Sequence, residues 1–437
     1  MGYMKNKRVY VKTFGCSTNI ADSLVIKKVL AKSSYEIVED YDASDVVVIN
    51  SCTVKQNSET KFFKEIRRAK KDKKLIVAAG CVIEAQKELK DSKELEGLSI
   101  IGTAQLESIA RVVDNLLLGK RMVLLDKKDK NPLLIPYQKY NDAIAIVPVA
   151  EGCLGHCSYC KTKQARGTLL SYPIKDIACT IERFVSLDVK EIWLTSQDIG
   201  AYGIDKGSSI VELLESVSMI KGDFFIRIGM ANPGHIKRYK TEICRIINEN
   251  KNFFRFLHVP IQAGSDAVLK RMERDCTTKE FLEICDFFKR NIKDLTFSTD
   301  VITAFPLETD DDFKKTLDVI KEVRPNILNI SRFWARPNTK AKRFKNHMPE
   351  VGIERARQLK ELFDKIALEE NKRWVGRTFR CVIDEFGKNG SLKGRNSSYK
   401  ELVFKSGDFN KNVKIGDFID AKVVDYREHH LVCEEVL

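Results

Sequence analysis

Short apolar runs rich in Val and Ile, each closed by a small residue and a cysteine, dominate the first quarter of the chain. Residues 8–14 (RVYVKTF), 45–50 (DVVVIN) and 75–79 (LIVAA) have the length and β-branched content of strands. They run into Gly15-Cys16, Ser51-Cys52 and Gly80-Cys81. Between them, residues 19–31 and 59–71 repeat apolar positions at helical spacing. Strands alternating with helices predict parallel βαβ units, whose strand C-termini share one edge where ligands bind. The pattern therefore predicts that three cysteines distant in sequence meet in one crevice. The alternative is three unrelated cysteines that happen to follow strands.

A charged link at residues 126–131 (DKKDKN) leads through Pro132 and Pro136 to a strand at 143–149. Further strands are predicted at 191–195, 225–229, 256–259, 296–302 and 327–330, with amphipathic helices such as 278–289 and 311–322 between them. About six βα units of this kind build a partial barrel whose strand C-termini carry the chemistry. A helix at 351–373 closes it. From there the period shortens to strands at 378–384, 402–404, 418–425 and 430–433, with polar turns at 388–390 and 393–396. This predicts a small antiparallel barrel, a form that often binds oligonucleotides. The chain is thus read as α/β, with domains at 1–125, 143–373 and 374–437 and a linker at 126–142.

Charge narrows the partner. With 75 Lys and Arg against 61 Asp and Glu, the 437 residues carry a formal charge of +14, which suggests nucleic acid first and an anionic membrane second. No apolar run is long enough to span a bilayer, and MGYMKNKR lacks the apolar stretch of a signal peptide. Twelve cysteines without export signals argue for a reducing cytoplasm and for metal ligation. The expectation is a cytoplasmic monomer with no membrane partner.

The sharpest chemical signal is Cys153, Cys157 and Cys160, spaced C-x3-C-x2-C in EGCLGHCSYCKTKQARG. Three thiolates within eight residues can close on one metal centre. A structural zinc or a closed iron–sulfur cluster wants four protein ligands, and here the local count stops at three. Zinc with His156 as a fourth ligand is the alternative, disfavoured because His156 adjoins Cys157; ordinary buried thiols are another.

At this spacing the loop resembles the radical S-adenosylmethionine (SAM) superfamily. With the first cysteine triplet and the final β-domain, it is similar to the radical SAM methylthiotransferases along nearly the whole chain. The likeness extends to LTSQDIGAYG (194–203), HVPIQAGSD (258–266), LKRMER (269–274), TDVITAFPLETDDDF (299–313) and FWARPNT (333–339). CSYCKTKQARGTLLSYP resembles the archaeal and eukaryotic branch, which acts on threonylcarbamoyladenosine in tRNA. Eukaryotic members often continue into a membrane-anchoring tail, so an archaeal type that stops at the β-domain is expected. Two glycines of the family's GFPGET run are replaced, by Ala304 and Leu307, and Asn338 stands where RPGT has glycine.

The resemblance implies a Rossmann-like N-terminal domain, a radical SAM barrel and a C-terminal TRAM domain. It implies a [4Fe–4S] cluster on Cys153, Cys157 and Cys160 whose open iron binds SAM, and a second on Cys16, Cys52 and Cys81 with an open iron that delivers sulfur. A 5′-deoxyadenosyl radical would take hydrogen from adenine C2, and a second SAM would supply the methyl group. An electron donor and a sulfur source are required as partners. No catalytic residue beyond the cluster ligands is expected. Tyr159, Gln197, Asp198, Gln262, Arg274 and Asp300 are the candidates for holding SAM. His258, in an apolar strand, is read as a hydrogen-bonded core histidine.

The run containing Arg332, Trp334, Arg336, Lys340, Lys342 and Arg343 holds bases and aromatics without an acid, the composition that neutralises phosphates and stacks on an extruded base. Residues 372–437 carry thirteen Lys and Arg against ten Asp and Glu, so the last domain is only mildly basic. The basic stretch at 61–74 reads as a solvated helix face. Methylthiolation of isopentenyladenosine in tRNA or of a ribosomal-protein aspartate, a noncatalytic iron–sulfur RNA-binding or redox-sensing protein, and a zinc-dependent RNA-binding protein are the competing readings.

Overall fold

The computed structural model describes residues 7–54, 56–125 and 131–436. The charged link expected at 126–131 falls largely outside them. The chain gathers into two compact units. The first comprises Met1–Tyr140, Ile146–Leu154 and Cys160–Thr180; the second comprises Asn141–Ala145, Gly155–Tyr159 and Ile181–Leu437.

The first unit is built on a six-stranded sheet of β1 (Arg8–Thr13), β2 (Glu36–Val38), β3 (Val46–Ser51), β4 (Leu75–Gly80), β5 (Ser99–Ile101) and β6 (Val123–Leu124). Their order is β2-β1-β3-β4-β5-β6, and every pairing is parallel. All six residues of β3 are buried; its apolar run at residues 46–49 demands this in a sheet covered on both faces, and Asn50 and Ser51 extend the strand toward the cysteines. The helix Gln56–Lys71 turns Phe62, Ile66 and Ala69 inward onto Val47, Ile49, Ile76 and Ala78, and leaves its lysines and arginines in solvent. The chain passes from β2 back across β1 to reach β3, so the winding reverses between β1 and β3. At that switch point the strand ends part and leave room for a ligand.

The second unit opens with β7 (Ile144–Pro148), which begins there at Ile144 and Ala145. After the pair β8 (Ala150–Glu151) and β9 (Leu170–Ser171) of the first unit come β10 (Glu191–Thr195), β11 (Phe225–Arg227), β12 (Phe256–His258), β13 (Thr296–Thr303) and β14 (Ile327–Arg332). They form two sheets, β11-β10-β7 and β12-β13-β14. Parallel bridges Ile226–Phe253 and Met230–His258 join the two into an arc. The helices Thr278–Asn291 and Asp310–Val323 both start on a capping box, from Thr277 with Glu280 and from Thr309 with Asp312, which fixes where each begins.

The chain ends in a closed five-stranded barrel of β15 (Thr378–Phe386), β16 (Leu392–Asn396), β17 (Glu401–Phe404), β18 (Phe418–Tyr426) and β19 (Leu431–Glu435). Two expectations are corrected here. The barrel is not wholly antiparallel, because β17 pairs with β19 in parallel. Residues 393–396 are not a turn but most of β16, with Leu392, Gly394 and Asn396 facing inward. Gly394 is there for space, since a Cβ would sit 2.5 Å from the Val382 carbonyl oxygen. Among the described residues, no helix is long and apolar enough to cross a membrane.

Candidate active site

In the first unit the loops after β1, β3 and β4 bring Cys16, Cys52 and Cys81 together. Two glycines make the approach possible. Gly15 has φ 129°, and a Cβ on it would lie 2.3 Å from Cys52 Cβ; Gly80 has φ 91°, and its Cβ would strike Asn50 Oδ1 at 2.3 Å. Asn19, in the first turn of helix Ser17–Lys32, sits among the thiols. Its Oδ1 lies 3.3 Å from Cys16 Sγ, and its Nδ2 donates to the Ser51 carbonyl and lies 3.6 Å from Cys81 Sγ. The Val54 amide lies 3.3 Å from Cys52 Sγ.

These contacts set the acidities apart. Cys52 donates to Cys16, which lowers the Cys16 thiol to about 6 against desolvation by its neighbours, with Arg166 and the Asn19 and Thr18 amides assisting. The same hydrogen bond, then burial, raises Cys52. Burial raises Cys81, opposed by the Arg166 charge. Cys16, Cys52 and Cys81 are all free thiols. Among the described residues, no three His, Cys, Asp or Glu side chains are set to close on a single ion.

The loop of Cys153, Cys157 and Cys160 is held by Ser158. In the second unit its N–H donates to the Met272 carbonyl at 3.0 Å, its Oγ to the Arg271 carbonyl at 2.8 Å, and its own carbonyl accepts from Ala341 N–H at 2.9 Å. Arg274 Nη1 reaches Cys157 Sγ at 3.6 Å while Nη2 donates to the Pro260 carbonyl at 2.8 Å. A cavity of 190 Å³ opens beside them, lined by Cys157, Asn232, His235, Arg238 and Arg274 among others. In the first unit the Thr162 amide lies 3.3 Å from Cys160 Sγ, and Cys153 N–H donates to the Gly167 carbonyl. His156 is exposed and belongs to no such ion-closing set.

The other predicted residues divide. Tyr159 packs edge-on against Phe305, with 6.2 Å between centroids, and Phe305 against Phe333 at 5.1 Å, a line of rings from the cysteine loop to the basic run. Gln262, at φ 77°, lies beside Asp300 through Gln262 N–H to the Asp300 carbonyl. Asp300 Oδ1 takes hydrogen bonds from His258 Nε2 and Asn329 Nδ2, each at 2.8 Å. Gln197 is half-buried after β10.

Asp198 turns inward. It is 1% exposed, and its carboxylate accepts from the Gly200 and Asn232 amides and Asn232 Nδ2 and faces His235 Nδ1 at 2.6 Å. Held in this way, it shapes the loop after β11.

Of the basic run, Arg336 lies over the Trp334 ring at 5.5 Å, Lys340 pairs with Glu273, and Arg332, Lys342 and Arg343 are exposed. Sequence reasoning missed Asn19, Ser158 and Arg166. Arg166 is one of three cations in KTKQARG, which hid it, and the other two are ordinary polar residues.

Residues 8–101 match the Uncharacterized protein family UPF0004, and residues 147–320 match the Radical SAM superfamily. The chain is 37% identical to the probable threonylcarbamoyladenosine tRNA methylthiotransferase of Archaeoglobus fulgidus, over 97% of this chain and 98% of that one. It is 36% identical to the threonylcarbamoyladenosine tRNA methylthiotransferase of Homo sapiens, over 97% of this chain and 73% of that one. Among solved structures it resembles the radical S-adenosylmethionine methyltransferase TsrM from Kitasatospora setae, with a TM-score of 0.55 and 10% identity, covering 77% of this chain and 74% of that one. At that identity the likeness is one of fold. With the arc of six strands, the cysteine loop and the relatives' near-complete coverage in agreement, the chain belongs to the threonylcarbamoyladenosine tRNA methylthiotransferase family.

Proposed function

We propose that the protein methylthiolates C2 of N6-threonylcarbamoyladenosine in tRNA, beside the anticodon. The observation that carries this reading is the hydrogen bond from Ala341 N–H to the Ser158 carbonyl. It ties the basic turn Lys340–Arg343 to the middle of the C-x3-C-x2-C loop, so that phosphate-seeking side chains and the Gly155–Tyr159 segment bearing Cys157 share one scaffold in the second unit.

The thiols suit iron–sulfur clusters. Each triad offers three cysteines, and N–H groups of Thr162, Arg274, Val54, Asn19 and Arg166 lie near their sulfurs, the kind of outer shell that ligating thiolates carry. Cys153, Cys157 and Cys160 would hold one [4Fe–4S] cluster with SAM at its open iron, and Cys16, Cys52 and Cys81 a second. When bound, these groups supply the radical that removes hydrogen from C2, the sulfur that replaces it, and, from a second SAM, the methyl group.

The chain's own residues bind and orient. Tyr159, fixed by Phe305, offers its ring to the SAM adenine. Gln197 faces the amino or ribose end. Gln262 and Asp300, the latter held by His258 and Asn329, close the strand-end side, and Arg274 braces Cys157 from the cavity side. Lys342 and Arg343 take phosphates of the anticodon stem, while Trp334, under Arg336, offers a ring on which an extruded base can stack. The enzyme would act as a cytoplasmic monomer and draw on a one-electron donor and a sulfur source.

The test is mass spectrometry of nucleosides after anaerobic incubation of the cluster-loaded protein with SAM, a reductant and tRNA bearing either threonylcarbamoyladenosine or isopentenyladenosine. A SAM-dependent methylthio adduct on the first nucleoside alone is expected. An adduct on the second alone, or SAM cleavage with no adduct on either, would refute the assignment.

A further inference from the structure

We propose that Arg166 is a positioning residue for the centre made by Cys16, Cys52 and Cys81, fixing the Cys81 sulfur and tying the segments that carry the two triads. This rests on the reading that those three thiols hold an iron–sulfur cluster. The Arg166 side chain is 2% exposed. Its guanidinium is spent in three directions within the first unit: Nε donates to Cys81 Sγ at 3.2 Å, Nη1 to Glu151 Oε1 at 3.0 Å and Nη2 to Asp22 Oδ2 at 2.6 Å.

The origins of those partners give the arrangement its meaning. Asp22 lies on helix Ser17–Lys32, which begins directly after Cys16. Cys81 opens helix Cys81–Ala85. Glu151 precedes Cys153 by two residues, and Arg166 ends helix Thr162–Arg166, which starts two residues after Cys160. One side chain thus joins the segments that follow Cys16 and carry Cys81 to both flanks of the C-x3-C-x2-C loop. Ala165 packs with Cys81 and Ala85, so the backbone that carries Arg166 is seated as firmly as its head group.

A buried arginine needed only to balance Asp22 and Glu151 would turn its donors to those carboxylates. Here Nε goes to sulfur. Lysine cannot reproduce this, because it lacks the planar fork that fixes three bonds at once. A hydrogen bond and a positive charge at a ligating sulfur raise the reduction potential of a cluster.

The experiment uses the full chain in a background of Cys153→Ala, Cys157→Ala and Cys160→Ala, leaving the first-unit centre alone to bind iron. After anaerobic reconstitution with iron and sulfide, iron content and midpoint potential are compared with and without Arg166→Lys. The protein is also labelled with 15N-arginine, and the reduced centre is examined by pulsed EPR.

The background protein should hold one cluster per chain with a 15N coupling from arginine. Arg166→Lys should remove that coupling and shift the potential negative or lose bound iron. Absence of the coupling in the background protein overturns the inference even if the lysine variant fails to fold. A folded lysine variant with unchanged potential and iron also overturns it, making Arg166 only a buried counter-ion. A background protein that binds no cluster overturns the underlying reading, and the inference with it.

Discussion

Ala304 and Leu307 adopt φ of 55° and 64° in the loop after β13, a region in which a side chain crowds its own carbonyl and glycine does not. The loop keeps its left-handed turns despite losing both glycines, because Glu308 braces it. Its Oε2 accepts from Ala304 N–H at 2.8 Å and from Arg355 Nη1 at 2.6 Å. Leu307 is 49% exposed, so Leu307→Gly sacrifices little packing. It should raise stability by about 0.5–1 kcal/mol, the balance of relieved strain against glycine's chain entropy, measurable by denaturant unfolding.

Gly15 has no such latitude. Gly15→Ala would drive a methyl into Cys52 and should abolish iron binding at Cys16, Cys52 and Cys81 while SAM cleavage continues, to be read by iron analysis and 5′-deoxyadenosine release.

Lys400 is buried, with Nζ on Asn371 Oδ1 at 2.8 Å. Burial, with Arg373 and Lys289 nearby, draws it from 10.5 down to about 7. Between those values the unfolded chain holds a proton that the folded chain has released. Stability from this group therefore rises as pH climbs from about 7 toward 10.5, and is lost as pH falls back through that window. Lys400→Met should flatten that rise in unfolding measurements across pH.

At the scale of elements, the turn Lys340–Arg343 serves as a displayed charge cluster held at its base. Ala341 is fully buried and bonded to Ser158, while Lys342 and Arg343 stay in solvent. Lys342→Glu with Arg343→Glu should weaken tRNA binding by roughly tenfold or more at low salt and reduce the log–log salt slope by about 2. SAM cleavage in the absence of tRNA should be unchanged. Filter binding across a salt series reads the first effect.

The elements that sequence alone made legible were those with a strong period. The buried runs of β3 and β4 and the capped helices from Thr277 and Thr309 lie within a few residues of where periodicity put them. The strands β2, β5 and β6 escaped because two or three residues carry no period. β16 was masked because Gly394 and Asn396, residues that usually make turns, serve there for space and for backbone hydrogen bonds to Ser398 and Lys400.

The same limit governs the site. The meeting of Cys16, Cys52 and Cys81 was legible because strand ends in a parallel sheet share an edge. The inward turn of Asp198 was not, since it depends on Asn232 and His235, more than thirty residues away. Nor was the reach of Arg166 to Asp22 and Cys81.

For the whole molecule, the proposed function divides two duties between two sets of thiols: one set would generate the radical and the other would deliver sulfur. The assignment requires that the duties be separable in one chain. The measurement that tests this most directly is parallel quantification of 5′-deoxyadenosine and methylthiolated nucleoside from Cys52→Ala and Cys157→Ala proteins, each reconstituted and supplied with threonylcarbamoylated tRNA. Cys157→Ala should give neither product. Cys52→Ala should still release 5′-deoxyadenosine but form no methylthio adduct. Full methylthiolation by Cys52→Ala over repeated turnovers would contradict the account, because sulfur would then reach C2 without the centre that the loops after β1, β3 and β4 assemble.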